Sequence, residues 1–461
     1  LQRPHPLYLY YDIKKWLLLL LLPIFRAIFA NHDTITVILS SIRDVAMATA
    51  LIAYSAIKWN KAGYLLNNGL ILKQGLIYQR RIRVLAKDAA SIEIERNPLM
   101  WLSGGRRVRI NTAGLKRRAD ATVYMPAKAA KIFSQHQTPG HIKRVYSRII
   151  PVVILSASSS NAALGLLTLA PALKQAGQIL GREVSGEVYG LINRIISLGL
   201  PPLFNTIANI LVLGWCFAFL RTFTRTAGFT AEREGSRIHL VSGLLTTRNI
   251  YIDGTRITSL ELRQTLFMRL FGLHTVTITA AGYGREKGAR PVIVPAARPK
   301  ELCKALDALL PEYPTCPATV HPPLKALAGY ALPPLMFTLG SFFPLYTGGI
   351  WNMFAAVWFI LGIWWMIVRL IGYQRAGFGV NEGAVTMRYS IGLALYEIHL
   401  PRESADCVRI TQMPWQKRGG TCTVELRSFG EKRRHHRVRA LPYNEAKRLV
   451  EMLAGIPRNE K

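Results

Sequence analysis

The sequence predicts an α+β membrane protein. Six transmembrane helices form three hairpins, and each hairpin is followed by a block of antiparallel strands closed by a C-terminal helix. Three observations carry this expectation. An Ala-Gly-aromatic step recurs at Ala62-Gly63-Tyr64, Ala227-Gly228-Phe229 and Ala376-Gly377-Phe378, each just past a long apolar run with a basic exit. The glycines lie 165 and 149 residues apart, the size of whole domains and far beyond solenoid repeats. Half of the residues are hydrophobic, yet the formal net charge is +33. The apolar residues must therefore be concentrated in blocks and the charge must lie elsewhere, as in basic domains beside an anionic membrane face.

The first hairpin is expected over residues 13–58. Lys14 and Lys15 precede the leucine-rich run to Ala30, and a second run, Ile35–Ile57, ends at Lys58. A bilayer core of ~30 Å needs ~20 helical residues. Basic residues at both outer ends place those ends in the cytoplasm. The first run lacks a small-residue cleavage site and reads as a retained anchor. Arg26, Arg43 and Asp44 fall inside these runs, where ionisable groups are costly and mark either structural pairing or a functional site. Strand alternation then takes over in a first domain, 62–137. Asn67-Asn68-Gly69 marks a hairpin turn before Leu70–Tyr78, and further strands are expected at Arg81–Ala86, Ala90–Glu95, Val108–Asn111 and Ala121–Tyr124. In Arg107-Val108-Arg109-Ile110 the period is two, with Val108 and Ile110 inward. Pro126 opens the closing helix.

The same order repeats. A second hairpin, 149–221, carries Arg194 near the start of its return run, and a second domain spans 227–310 with its closing helix opening at Pro295. The third hairpin is 326–371 and the third domain 376–455, with Pro442 opening a helix whose Ala446, Leu449, Val450 and Leu453 share a face. Here Pro414-Trp415-Gln416-Lys417-Arg418-Gly419-Gly420 replaces the Leu270-Phe271-Gly272-Leu273 stretch of the second copy. A function tied to that stretch is therefore expected to be weaker in the third.

The membrane hairpin, the Ala-Gly-aromatic entry and the proline-initiated helix come in a fixed order, three times, joined by Ser242-Gly243-Leu244-Leu245, the Phe-Gly-Leu turn at 271–273 and the turns at Thr112-Ala113-Gly114 and Ala280-Ala281-Gly282. This order resembles the bacterial pleckstrin-homology domain type 2 family, and the three copies resemble its YdbT-type membrane proteins. The resemblance implies a PH-like fold in each block: an antiparallel β sandwich or barrel of two sheets, plugged by the C-terminal helix. It also implies a bacterial plasma membrane location, with the PH-like domains and both termini cytoplasmic.

No catalytic constellation is present: no GxSxG, Walker A, HExxH or GxGxxG. A non-enzymatic binding or scaffold protein without a cofactor is expected. Cys407, Cys422, His435 and His436 do not make a metal site, because consecutive histidines face opposite sides of a strand and the cysteines lack ligand spacing. Five scattered cysteines without a CxxC pair argue against a disulfide framework. Basic clusters remain: Arg80, Arg81 and Arg83; Arg107 and Arg109; Lys116, Arg117 and Arg118; and Arg433, Arg434, Arg437 and Arg439. They are the candidate contacts for membrane lipids or acidic protein segments, against the alternative of a solvated basic face. Further copies, or a companion membrane protein of the same family, are the other expected partners. Nucleic acid lacks any supporting motif. The competing function is a transporter or lipid conduit, with Arg26, Arg43, Asp44 and Arg194 lining a path through the helices.

Overall fold

The computed structural model describes residues 2–14, 34–67, 69–76, 78–85, 88–112, 121–134, 143–159, 202–280, 291–343, 351–392, 394–428 and 436–455. Each unit contains two three-stranded antiparallel meanders. In the first they are β1 (Gly63–Leu66), β2 (Gly69–Gln74) and β3 (Arg80–Leu85), then β4 (Ala89–Arg96), β5 (Gly105–Thr112) and β6 (Ala121–Pro126). A short strand, β7 (Lys143–Tyr146), opens the second unit. It is followed by β8 (Thr230–Glu234), β9 (Arg237–Ser242) and β10 (Thr247–Asp253), then β11 (Ile257–Thr265), β12 (His274–Ala280) and β13 (Val292–Ala297). The third has β14 (Gly377–Val380), β15 (Ala384–Ile391) and β16 (Ala394–Pro401), then β17 (Ala405–Thr411), β18 (Thr421–Ser428) and β19 (His436–Pro442).

Within a unit the two meanders enclose one core. In the first, Leu70, Leu72 and Val84 meet Ile94, Val108, Ile110, Val123 and Met125. Alternation explains the choice, since Arg107 and Arg109 leave the core on the strand face opposite Val108 and Ile110. The strands expected after Tyr64 are all present, but β2 stops at Gln74, short of Tyr78, and β5 already starts at Gly105, ahead of Val108.

The meanders of neighbouring units are joined edge to edge. One sheet runs β6-β5-β4-β10-β9-β8-β7 and another runs β13-β12-β11-β16-β15-β14. At the first joint Glu93 lies opposite Ile250 and Glu95 opposite Arg248. At the second, Glu261 lies opposite Ile398 and Arg263 opposite Tyr396. Paired residues share a sheet face. Ile250 belongs to the core of the second unit, whereas Ile94, beside Glu93, belongs to that of the first. The buried side of the sheet therefore switches at the joint. The second joint repeats the switch, with Leu260 in one core and Ile398 in the next.

The helices are α1 (Leu7–Ile13), α2 (Thr34–Lys61), α3 (Ile149–Ser159), α4 (Pro202–Thr226), α5 (Pro299–Leu309), α6 (Leu327–Gly340), α7 (Trp351–Arg375) and α8 (Tyr443–Ala454). Helices α5 and α8 close the second and third units. In α5, Leu302, Ala305 and Leu309 lie on the buried face at helical spacing, and Pro299 sits in the first turn. The expected start at Pro295 lies inside β13 instead. The first unit closes with a shorter piece, Ala127–Ala130 followed by a 3-10 turn, Lys131–Ser134.

The expectation of six membrane-crossing helices is not borne out. Among the described residues no helix is long and apolar enough to cross a membrane. Helices α3 and α6 have 11 and 14 residues, about 17 and 21 Å at the helical rise, short of a ~30 Å core. Helix α2 carries Arg43, Asp44 and Lys58, and α4 carries Asn205, Asn209 and Arg221. The part of α7 whose side chains are described without interruption, 358–375, holds Arg369, Gln374 and Arg375. Long apolar runs alone do not make a membrane span where the helices they form are this short or this polar. Residues 15–33, 160–201 and 344–350 of the expected hairpins lie outside the described residues.

Upstream of each helical region the chain already belongs to its unit. Gln2 bridges Tyr64, β7 pairs with β8, and Val320 bridges Phe378. Asp12, buried at the end of α1, accepts two hydrogen bonds from Lys58 Nζ at 2.9 and 3.0 Å, tying α1 to α2. In α6 and α7, Gly362 admits Thr338 to close contact, and Phe337 packs on Trp358 and Trp365.

Candidate binding site

Beside the second joint lies a cavity of about 340 Å³, at the small end of the range that holds ligands. Its walls come from β11, β12, β15, β16 and the end of α7. Gln264, His274, Arg375, Arg388, Tyr396 and Glu397 supply its polar surface. Local sequence explains the placement. In Thr386-Met387-Arg388-Tyr389 the alternation sends Met387 into the core and Arg388 to the opposite face. Arg375, the last residue of α7, donates to Gln264 Oε1 at 3.0 Å. Arg388 donates to Glu397 Oε1 at 2.7 Å, and its buried Nε has no hydrogen-bond partner among the described residues. Glu397 also faces His399 Nε2 at 3.5 Å.

The charge of this site is net cationic, since Arg375 and Arg388 face one carboxylate. Burial, with Arg375 nearby, pushes the His274 pKa down. Burial likewise pushes His399 down, with Glu397 opposing the shift. Both rings are therefore neutral near pH 7. A compact anion would find two guanidinium groups and the neutral His274 ring around it.

The first joint is built from the equivalent strands and carries an ion-pair cluster. Arg107 reaches Glu95 at 3.3 Å, and Arg109 reaches Glu93 at 3.4 Å and Glu95 at 3.7 Å. Arg248 of the next unit lies 3.9 Å from both carboxylates. Glu93 and Glu95 are buried. Two of the expected lipid contacts, Arg107 and Arg109, thus have carboxylate partners within the fold. Arg437 is likewise 3.2 Å from Glu425. Arg439 is exposed, and its carbonyl accepts from the Tyr330 hydroxyl at 3.0 Å. Arg80, Arg81 and Arg83 are exposed on β3. Arg43 and Asp44 lie in α2, but their side chains, together with Arg26, Lys116, Arg117, Arg118, Arg194, Arg433 and Arg434, are outside the described residues. The cavity residues Arg375, Arg388, Glu397 and His274 were not singled out as a site from sequence. The available signal was Arg388 at an outward strand position beside a core methionine.

A third feature recurs in every unit. Between the first two strands of each C-terminal meander lies a short helix: Pro98–Ser103, Leu266–Leu270 and Pro414–Arg418. A glycine at positive φ follows each one: Gly104 at 72°, Gly272 at 64° and Gly420 at 64°. The third unit thus keeps the turn despite its different sequence, because Pro414 starts the helix and Gly420 supplies the left-handed step. Met100 packs with Leu7 of α1, and Met268 packs with Leu155 of α3. The outer sides carry Trp101, Leu270 and Trp415, 63%, 79% and 71% exposed.

These features agree with the family comparison. The bacterial PH domain family matches residues 17–138, 178–310 and 334–455. The chain belongs to this family. It is 22% identical over 280 residues to the transmembrane protein YdbT of Bacillus subtilis (strain 168), a match covering 59% of this chain and 55% of that protein. The match thus spans about half the length of this relative. No solved structure matches.

Proposed function

We propose that this bacterial PH-domain protein is a non-enzymatic, membrane-associated binding protein, and that the cavity at its second joint takes the anionic headgroup of a phospholipid. The observation that carries this reading is the pair Arg375 and Arg388 facing one carboxylate in a cavity at the foot of α7. Two further features support it. The short helices present Trp101 and Trp415 outward, as amphipathic aromatic anchors at a bilayer surface do, and Leu270 adds apolar surface. Helices α6 and α7 expose Met336, Ile360 and Leu361, apolar surface of the kind that marks a membrane or protein contact. The relative bears the name of a transmembrane protein. The role of the cavity in this reading is capture.

The test is native mass spectrometry of the full chain in detergent, titrated with phosphatidylglycerol, phosphatidylcholine or inorganic phosphate. Phosphatidylglycerol should be retained preferentially. Arg375→Ala with Arg388→Ala should weaken its binding by about tenfold or more, the scale of one or two charge-assisted bonds. Binding left unchanged by the double variant overturns the reading. Equal competition by inorganic phosphate would assign the cavity to a free anion.

A further inference from the structure

Each joint mates the third strand of one N-terminal meander, β10 or β16, with the first strand of the preceding C-terminal meander, β4 or β11. The chain therefore has two such strands left over. β3 is the outer strand of β1-β2-β3, and β17 is the outer strand of β17-β18-β19. Among the described residues no strand pairs with the outer edge of either.

The equivalence of positions can be fixed from the backbone. Arg80 and Arg248 each follow a positive-φ turn glycine, Gly75 or Gly243, by five residues. Arg80 lies opposite Gln74 and Ile82 opposite Leu72, just as Arg248 lies opposite Ser242 and Ile250 opposite Leu240. Arg80 and Ile82 thus stand where Arg248 and Ile250 stand in the first joint. On the mating side, a bulge falls at Ala89/Ser91 in β4, Ile257/Ser259 in β11 and Ala405/Cys407 in β17. Two residues beyond each bulge come Glu93, Glu261 and Arg409. At both internal joints this carboxylate lies opposite the equivalent isoleucine, Ile250 or Ile398. In β17 the charge is reversed.

We propose that the outer edge of β3 is a docking site for an acid-bearing antiparallel strand, built like β4, on a PH-like unit of a different chain. Continuity with the two internal joints supplies the backbone pattern. Charge supplies the selection: in the register of the first joint the Glu95 equivalent falls opposite the exposed Arg80, while Arg81 and Arg83, also exposed, lie on the other face of the strand. A second copy of this chain is the wrong occupant, since its β17 would set Arg409 opposite Ile82, beside Arg80 on the same face, and Thr411 in place of a carboxylate opposite Arg80. Like charges in facing strands oppose pairing, and opposite charges favour it. Arg409 thus acts against head-to-tail chains of identical copies, a recurrent hazard of open heterologous edges.

The test uses the full chain in detergent and fluorescence anisotropy of labelled peptides. The peptide of residues 89–96 should bind saturably. Its Glu93→Arg, Glu95→Arg form and the peptide of residues 405–411 should bind about tenfold more weakly or not at all, as facing like charges predict. Arg80→Glu, Arg81→Glu, Arg83→Glu in the full chain should abolish the preference and favour the basic peptide. The peptide substitutions leave the protein untouched, so a folding defect cannot mimic the result. Absence of binding by the 89–96 peptide overturns the proposal. So does equal binding of the 405–411 peptide, or indifference to the β3 substitutions.

Discussion

The two joints use one backbone pattern and treat charge in opposite ways. At the first, Glu93 and Glu95 take up Arg107, Arg109 and Arg248 inside the sheet junction. At the second, Glu261 keeps its position, but Arg263 replaces the second carboxylate and Tyr396 replaces the arginine opposite it. A cavity edged by Arg375 and Arg388 lies beside this joint, on the sheet face that carries Leu262, Gln264 and Glu397. Edge pairing holds units together whatever the side chains do. The side chains then decide whether a joint is sealed or receptive.

The largest expected effect attacks the sealed joint. Glu93→Ala with Glu95→Ala leaves three arginines without their carboxylates in a buried junction, which should cost about 3–5 kcal/mol in denaturant unfolding of the full chain. Glu397→Ala at the receptive joint removes a half-exposed partner and should cost only about 1 kcal/mol. Similar losses at both sites would erase the distinction.

A second measure varies pH. His274 and His399 have pKa values pushed down by burial. The unfolded chain therefore binds protons that the folded chain resists. Their contribution is fully present above about pH 6.5, the unfolded value, and is lost as pH falls below it. The melting temperature should drop between pH 7.5 and 5.5. His239, also pushed down by burial, stacks on Tyr251 near the first joint. His274→Gln with His399→Gln should flatten the profile more than His239→Gln does. An equal response would show that the receptive joint holds no special store of unprotonated rings.

The smallest effect calibrates the comparison. Gly104→Ala and Gly272→Ala each place a side chain at positive φ in open space. Each should lower stability by about 1 kcal/mol, alike on both sides of the first joint. A larger loss at one would reveal packing at that short helix beyond backbone conformation.

The three units and their strands were legible because alternation and turn glycines are local. Val108 and Ile110 face inward with Arg107 and Arg109 outward, as the period of two requires. The short helices escaped notice, since one turn is too brief for a periodic signal. The joints escaped it for a different reason: β4 and β10 are some 150 residues apart, and nothing in either strand names its neighbour. Ile92-Glu93-Ile94-Glu95 reads equally well as a strand with a solvated outer face. The fold buries that face beside Arg248 instead. The helical hairpins show the converse error. Apolar runs are conspicuous, yet Arg369 in α7 and the brevity of α6 decide what those helices can span.

The sharing of each joined sheet between two units has a consequence for how the molecule comes apart. The middle unit lends one meander to each neighbour, so it cannot melt without baring a raw strand on both flanks, while either end unit has only one such tie. Unfolding should begin at an extremity and sweep inward, and a calorimetric trace should show fewer transitions than there are repeats.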